Sequence, residues 1–233
     1  MLKKLALFAT ALAAPALAQD PEFARVVTAI DAAAPAPSAS ETSAAALDIL
    51  KAIAKEKGGC SPTSVTADAP AAATSTALAT QMIGARQIKN AWTVYVTAQG
   101  CPAKAAAPIR FLLLRMPSGE LLARVVNVGE SLAAPSMMRD SSFIVAVAAL
   151  AAIQKAHADC KGMEGMEMES SRVVSRSPDL GPDFYGSRYA GSWKEAWTFS
   201  VCGHRAEVPI TFTTDGQGGA SWAAHEAETK LID

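Results

Sequence analysis

Aromatic residues are scarce, 6% of the chain, and neither sign of charge dominates, with 21 basic and 22 acidic residues. Without a basic excess there is no surface that neutralises a run of phosphates, which argues against nucleic acid as a partner. The four cysteines form no Cys-x-x-Cys pair. That spacing disfavours a zinc site and thioredoxin-type redox chemistry. The chain has no Gly-x-Ser-x-Gly, Ser-x-x-Lys or His-Glu-x-x-His motif and no glycine loop between a strand and a helix. These absences remove the recognisable nucleophile elbows, zinc proteases and phosphate cradles. No catalytic, cofactor-binding or metal-ligating residue is assigned from the sequence.

The N-terminus carries an address. Lys3-Lys4 precedes an apolar run from Leu5 to Ala14, and Ala16-Leu17-Ala18 gives the small-x-small pattern of a cleavage site. Residues 1–18 are expected to be a signal peptide, removed to leave Gln19 first. Gln19 is not cysteine, so no lipoprotein anchor follows. The competing reading, an uncleaved membrane anchor, needs about 20 apolar residues and the run is shorter. Export to the bacterial periplasm or beyond is therefore expected, with no stable membrane insertion after cleavage. Losing Lys3 and Lys4 leaves a charge of about −3 on about 215 residues, enough for one large domain or two of about 100.

Cysteines in an exported chain read as disulfides. Cys60, Cys101, Cys160 and Cys202 allow three connectivities. Locality favours Cys60 with Cys101 and Cys160 with Cys202. Each bridge would close about 42 residues and contribute on the order of 4 kcal/mol in the chain-entropy model.

The chain also repeats itself. Ala91-Trp92-Thr93-Val94-Tyr95-Val96, Cys101 and Pro108-Ile109-Arg110-Phe111 find an echo in Ala196-Trp197-Thr198-Phe199-Ser200-Val201-Cys202 and Pro209-Ile210-Thr211-Phe212. The proline follows the cysteine by seven residues in both. Upstream, Leu50, Ile53, Lys55 and Cys60 match Leu150, Ile153, Lys155 and Cys160 at an offset of 100. Placing Trp92 on Trp197 requires a four-residue gap; placing it on Trp193 requires none but sets Glu195 opposite Val94, which breaks the alternation. The gapped register is preferred. The fold expected is α+β, two tandem pseudo-repeats, each a main helix packed on a small antiparallel sheet. The repeats span 19–128 and 129–233.

Along the chain, Asp20-Pro21 starts a helix with Phe23, Val26, Val27 and Ile30 on one face. Ser38-Ala39-Ser40-Glu41 is a capping box, and Gly58-Gly59 closes the helix that it opens. Ala133 to Arg139 reads as a linker, followed by a helix from Phe143 to about Ala158 capped by Asp140, Ser141 or Ser142. Its stretch Phe143 to Ile153 is apolar on every side, which predicts burial on every side, between the sheets or at an interface. Alternation predicts strands at Trp92–Val96, Trp197–Val201, Val208–Phe212 and Ala220–Ala224, and a more continuous apolar strand at Ile109–Met116. Asp215-Gly216-Gln217-Gly218-Gly219 is a hairpin turn.

Three stretches carry candidate chemistry. Met163, Met166 and Met168 would suit copper(I), a soft ion, or would simply fill the core beside outward glutamates, the favoured reading. His157, His204 and His225 are unpaired in sequence, and only folding would assemble them into a hydrolase. Phe184, Tyr185, Tyr189 and Trp193 lie in or beside a glycine-containing loop and serve as a stacking platform for a ligand or, by preference, as a hydrophobic plug.

The segment Glu195 to Gly203, with Asp215-Gly216-Gln217-Gly218-Gly219, resembles a recurring cassette of small exported proteobacterial proteins of unknown function. The resemblance covers about 30 residues and implies an exported α+β domain with no known activity. The first reading of function is a non-enzymatic exported module that binds a protein or a component of the cell envelope, and needs no cofactor. Periplasmic copper handling and an unrecognised hydrolase are the alternatives.

Overall fold

The computed structural model describes residues 20–101 and 107–232. The expected signal peptide and its cleavage site lie outside the described residues. The described chain is α+β, with four helices and two antiparallel sheets. Helix α1 (Pro21–Ala33) starts as its sequence requires: the Asp20 side chain accepts from the Glu22 and Phe23 amides, and proline occupies the first turn. Helix α2 (Ala39–Lys57) opens on a complete capping box. The Ser38 hydroxyl accepts from the Glu41 amide, and the Glu41 carboxylate accepts from the Ser38 amide at 3.0 Å. Gly58 ends it in the left-handed conformation.

The first sheet holds β1 (Ser64–Ala67), β2 (Ala71–Ala72), β3 (Asn90–Gln99), β4 (Ile109–Arg115) and β5 (Leu121–Val128), with α3 (Ala77–Gly84) between β2 and β3. Its order is β1-β3-β4-β5, and β2 shares the outer edge of β3 with β1. Both faces are covered. Ala46 and Leu50 of α2 pack on Trp92, Val94, Val96, Phe111 and Leu113. Ala79 of α3 packs with Ala91, Leu112 and Leu114 on the opposite side. Burial on both faces is why β4 is apolar without alternation from Phe111 to Leu114.

Helix α4 (Pro135–Ala156) leads to the second sheet: β6 (Glu167–Arg176), β7 (Ser192–Val201), β8 (His204–Thr214), β9 (Ala220–Ala224) and β10 (Lys230–Leu231). Here the order is β6-β7-β8, and β9 and β10 share the outer edge of β8. Trp193, Trp197, Phe199, Val208, Ile210 and Phe212 meet Val145, Ala149 and Ile153 of α4 in one core. Val126 touches both this core and the cluster under α3, so α3 and α4 lie on the same side.

Two expectations need correction. Helix α4 begins at Pro135, two turns earlier than read, and its cap Ala134 offers no side-chain bond. Proline at the first position supplies the start instead. Nor is α4 buried all round. It rests on the second sheet, and Phe143, Ile144 and Val147 remain exposed, Phe143 at 63%. The small residues Ala146, Ala148 and Ala149 let the helix settle closely on one face, leaving the bulky ones outside.

The two tryptophans of the preferred alignment are not register equivalents. Trp92 pairs with Leu113, whereas Trp197 pairs with Val208. With Ile109 laid on Ile210, the opposing residues are Val96 and Glu195. Hairpin length is the cause. β7 and β8 turn through Cys202-Gly203 alone, both at positive φ, a two-residue turn of the type that matches strand twist. The β3–β4 connection runs from Gly100 to Pro108.

The sheets abut along β5 and β6, which run parallel there with a bridge between Gly129 and Ser171. Asn127 Nδ2 donates to Ser171 Oγ at 2.9 Å across this seam. Gly129, at φ 84°, brings backbone against backbone, and a Cβ on it would collide with the Ser171 carbonyl.

Candidate functional site

The chemistry of the seam centres on Glu195, which alternation placed as a misfit. It is fully buried on the inner face of β7, between Trp193 and Trp197. A buried carboxylate persists only if its lone pairs are occupied by donors. Here they are. Trp193 Nε1 donates to Oε1 and Trp197 Nε1 to Oε2, both at 2.8 Å. The Leu132 amide donates at 2.8 Å, the Ala133 amide at 3.2 Å, and Ser131 Oγ reaches Oε2 at 2.9 Å.

The first sheet grips the same three residues from the other side. Arg110 Nη1 donates to the Ala133 carbonyl at 2.7 Å and the Ser131 carbonyl at 3.3 Å. Tyr95 Oη donates to the Ser131 carbonyl and accepts from the Ser131 amide, each at 3.1 Å. Burial pulls the Arg110 guanidinium below its ordinary pKa, and the nearby Tyr95 and Glu195 work against that shift. Residues 131–133 are thus held by a carboxylate of one sheet and a guanidinium of the other. No signal for this lies in a motif. The trace in sequence is Trp193-x-Glu195-x-Trp197, three residues on one strand face with the carboxylate flanked by two indole donors.

Two grooves flank the seam. One, of about 430 Å³, has an apolar floor of Leu78, Leu112, Val126, Pro135, Met138 and Met168, with Arg124 on its rim. The other, of about 260 Å³, is polar and includes Asp68, Tyr95, Glu130 and Arg176.

The structure pairs Cys60 with Cys101 and Cys160 with Cys202, the local connectivity, with sequence separations of 41 and 42. Each bridge ties the segment after a main helix to the end of a hairpin strand. Met163, Met166 and Met168 pack against the apolar core of the second sheet, as gap-filling methionines do. His157 and His204 are brought together as stacked rings with centroids 3.5 Å apart. His225 stands apart from them, its Nε2 2.8 Å from Thr211 Oγ1 and its Nδ1 3.8 Å from Glu228 Oε1. None of the three lines a groove of the seam.

The aromatic loop is a fastening. Ser75 Oγ donates to the Phe184 carbonyl at 2.5 Å, and Ser187 Oγ donates to the Ser75 carbonyl at 3.1 Å. Phe184 packs on Phe23 of α1, and Tyr189 is buried, which raises its phenol pKa. The loop plugs against α1 and the turn before α3, while Trp193 and Leu180 join the core of its own sheet. Comparison with known proteins finds no matching family model, no similar curated protein and no similar solved structure.

Proposed function

We propose that this chain is an exported binding module built as two tandem helix-and-sheet units, 19–128 and 129–233, that presents a ligand groove where they join. One observation carries the binding reading. The seam is fastened by a buried polar network whose central carboxylate is fully occupied, yet an apolar groove of about 430 Å³ stays open beside it. A groove of that size with an apolar floor and two arginines, Arg124 and Arg139, in its lining suits a ligand with an apolar body and an anionic end. Support for the tandem reading is that each sheet follows a main helix, is an antiparallel meander and carries a disulfide at the hairpin end. Support for export is the leader pattern of residues 1–18 together with two disulfides, which fit an oxidising compartment.

Thermal unfolding with added dodecyl phosphate tests the binding reading. The expected result is a melting temperature that rises with ligand concentration. The rise should shrink in Arg124→Glu and vanish in Met138→Asp. No shift in the parent protein, or one that survives both substitutions, overturns the reading. Cell fractionation and N-terminal sequencing test export, with Gln19 expected first in the periplasmic or secreted fraction.

A further inference from the structure

The apolar groove of the seam does not end at its floor. Leu78, Leu112, Pro135 and Ser136 also wall a second, much smaller void of about 10 Å³, which continues between α3 and the first sheet. Ala79, Met82, Ala91 and Leu114 close its inner end. Arg124 and Arg139 line the groove and not the void. The four shared residues are therefore a neck, with both guanidinium groups on one side and a blind apolar end on the other.

The inner void suits hydrocarbon and not water. It has room for one water at most, and a water there needs polar partners. Thr76 spends its hydroxyl on the Ala73 carbonyl at 2.8 Å and the Ala79 amide at 3.3 Å. Ala79, Ala91 and Leu114 are buried and apolar. Such a void leaves its lining without the contacts that an alkyl group would supply. The walls differ in how they yield. Ala91, Leu112 and Leu114 are fixed in the paired strands β3 and β4. Leu78 and Met82 are only partly buried, on a helix of eight residues, and methionine is unbranched with several rotatable bonds. At the outer end, no acidic side chain lines the groove among the described residues. Arg139 pairs with the exposed Asp140 at 2.9 Å, a surface contact of the kind that contributes little and leaves the guanidinium open to an anion.

We infer, on the binding reading proposed above, that the ligand of the seam groove is a single-tailed anionic amphiphile. Its head lies at Arg124 and Arg139, and the end of its unbranched alkyl tail passes the neck into the void. A four-residue neck leading to so small a space admits one tail and refuses a ring or a second tail. Rotation of Met82 makes room for the tail end without moving the sheet. Ala79 and Met82 thereby set the length of tail that the protein accepts.

Equilibrium dialysis of the purified, disulfide-bonded protein against alkyl phosphates from hexyl to dodecyl, each below its micelle concentration, tests this. Affinity should rise about fourfold per added methylene while the tail is still entering, and then level off. Ala79→Val fills the inner end and should bring the levelling about two methylenes earlier, with hexyl phosphate unaffected. Met82→Ala removes three heavy atoms from the same wall and should move it about three methylenes later. This second variant opens space instead of overfilling it, so it carries the test if Ala79→Val fails to fold. Decyltrimethylammonium should bind about tenfold more weakly than decyl phosphate, or less tightly still. A levelling at the same length in the parent and in Met82→Ala overturns the tail assignment, as does affinity independent of tail length. Equal affinity for the cationic and anionic decyl compounds overturns the head assignment. In each of these results alkyl compounds still bind, and the binding reading stands. No binding of any alkyl phosphate to the parent overturns that reading and the ligand class together.

Discussion

The two sheets each centre on one antiparallel hairpin, β3–β4 and β7–β8, but the shared edge precedes it in the first and follows it in the second, and the sheets are buried differently. The first is covered on both faces, by α2 and by α3, and its central strand β4 is continuously apolar from Phe111 to Leu114. The second is covered on its inner face by α4, and its outer face carries ion pairs between Arg172 and Glu207 and between Arg205 and Glu169. At the register position where the first sheet holds Val96, the second holds Glu195. The comparison teaches that a strand position fixes burial, while its neighbours decide whether a carboxylate can live there. Among the described residues Val96 sits in an apolar cluster with Val94, Phe111 and Ala46; around Glu195 two indoles, two amides and a hydroxyl converge.

Removing both residues should break the comparison most sharply. Glu195→Ala orphans buried donors and leaves a cavity, and should cost about 3–5 kcal/mol in urea unfolding. Val96→Ala loses only apolar volume and should cost about 2 kcal/mol. Equal losses would mean that the network around Glu195 contributes nothing beyond packing.

The disulfides come next. Nearly equal loops predict nearly equal stabilisation, about 4 kcal/mol each in the chain-entropy model, when either pair is replaced by serine. Each bridge has one exposed half, Cys60 and Cys202, but the other half is only half-buried at Cys101 and 2% exposed at Cys160. Under limiting reductant, alkylation and mass mapping should find Cys60 and Cys101 modified first. The opposite order would mean that the second hairpin end opens more readily than its packing implies.

A smaller contrast separates the tryptophans. Trp197→Phe removes a donor from a buried carboxylate and should cost about 2 kcal/mol. Trp92 is just as buried but makes no side-chain hydrogen bond among the described residues, so Trp92→Phe should cost about half as much.

The smallest effect is acid sensitivity at the start of α2. The Ser38 amide and hydroxyl, with Arg115, hold the Glu41 carboxyl below its ordinary pKa. A depressed folded pKa gives stability that is complete above the ordinary carboxyl range, and it is lost as pH falls through the depressed value. Glu41→Gln should therefore flatten the pH dependence of stability below about pH 4.5 and change little at pH 7. An unchanged acid limb would show that the box is broken in solution.

Local structure was largely legible in the sequence because its causes are local. Asp20-Pro21, the Ser38–Glu41 box, Gly58 and the Asp215–Gly219 turn each act within a few residues. The start of α4 was missed because Ala134 carries no capping side chain, and the signal rested on Pro135 alone. Its open face was missed because an apolar surface reads alike whether covered by the fold or left bare. Glu195 was misjudged because three of its five donors come from residues 131–133, more than sixty positions away. Alternation records which face a side chain takes, and it carries no information about what meets it there. The hairpin register was hidden by the unequal lengths of the two connections.

Trp193 and Trp197 are two of the four tryptophans in the chain, and both donate to the same carboxylate. The molecule therefore carries its own optical gauge. If the contact between the sheets loosens, water reaches both indoles and the acceptor at once, shifting their emission to the red while Trp92, deep in the other sheet, stays dark to the change. Fluorescence followed against far-ultraviolet dichroism would then distinguish a parting of the sheets from their melting, without any label.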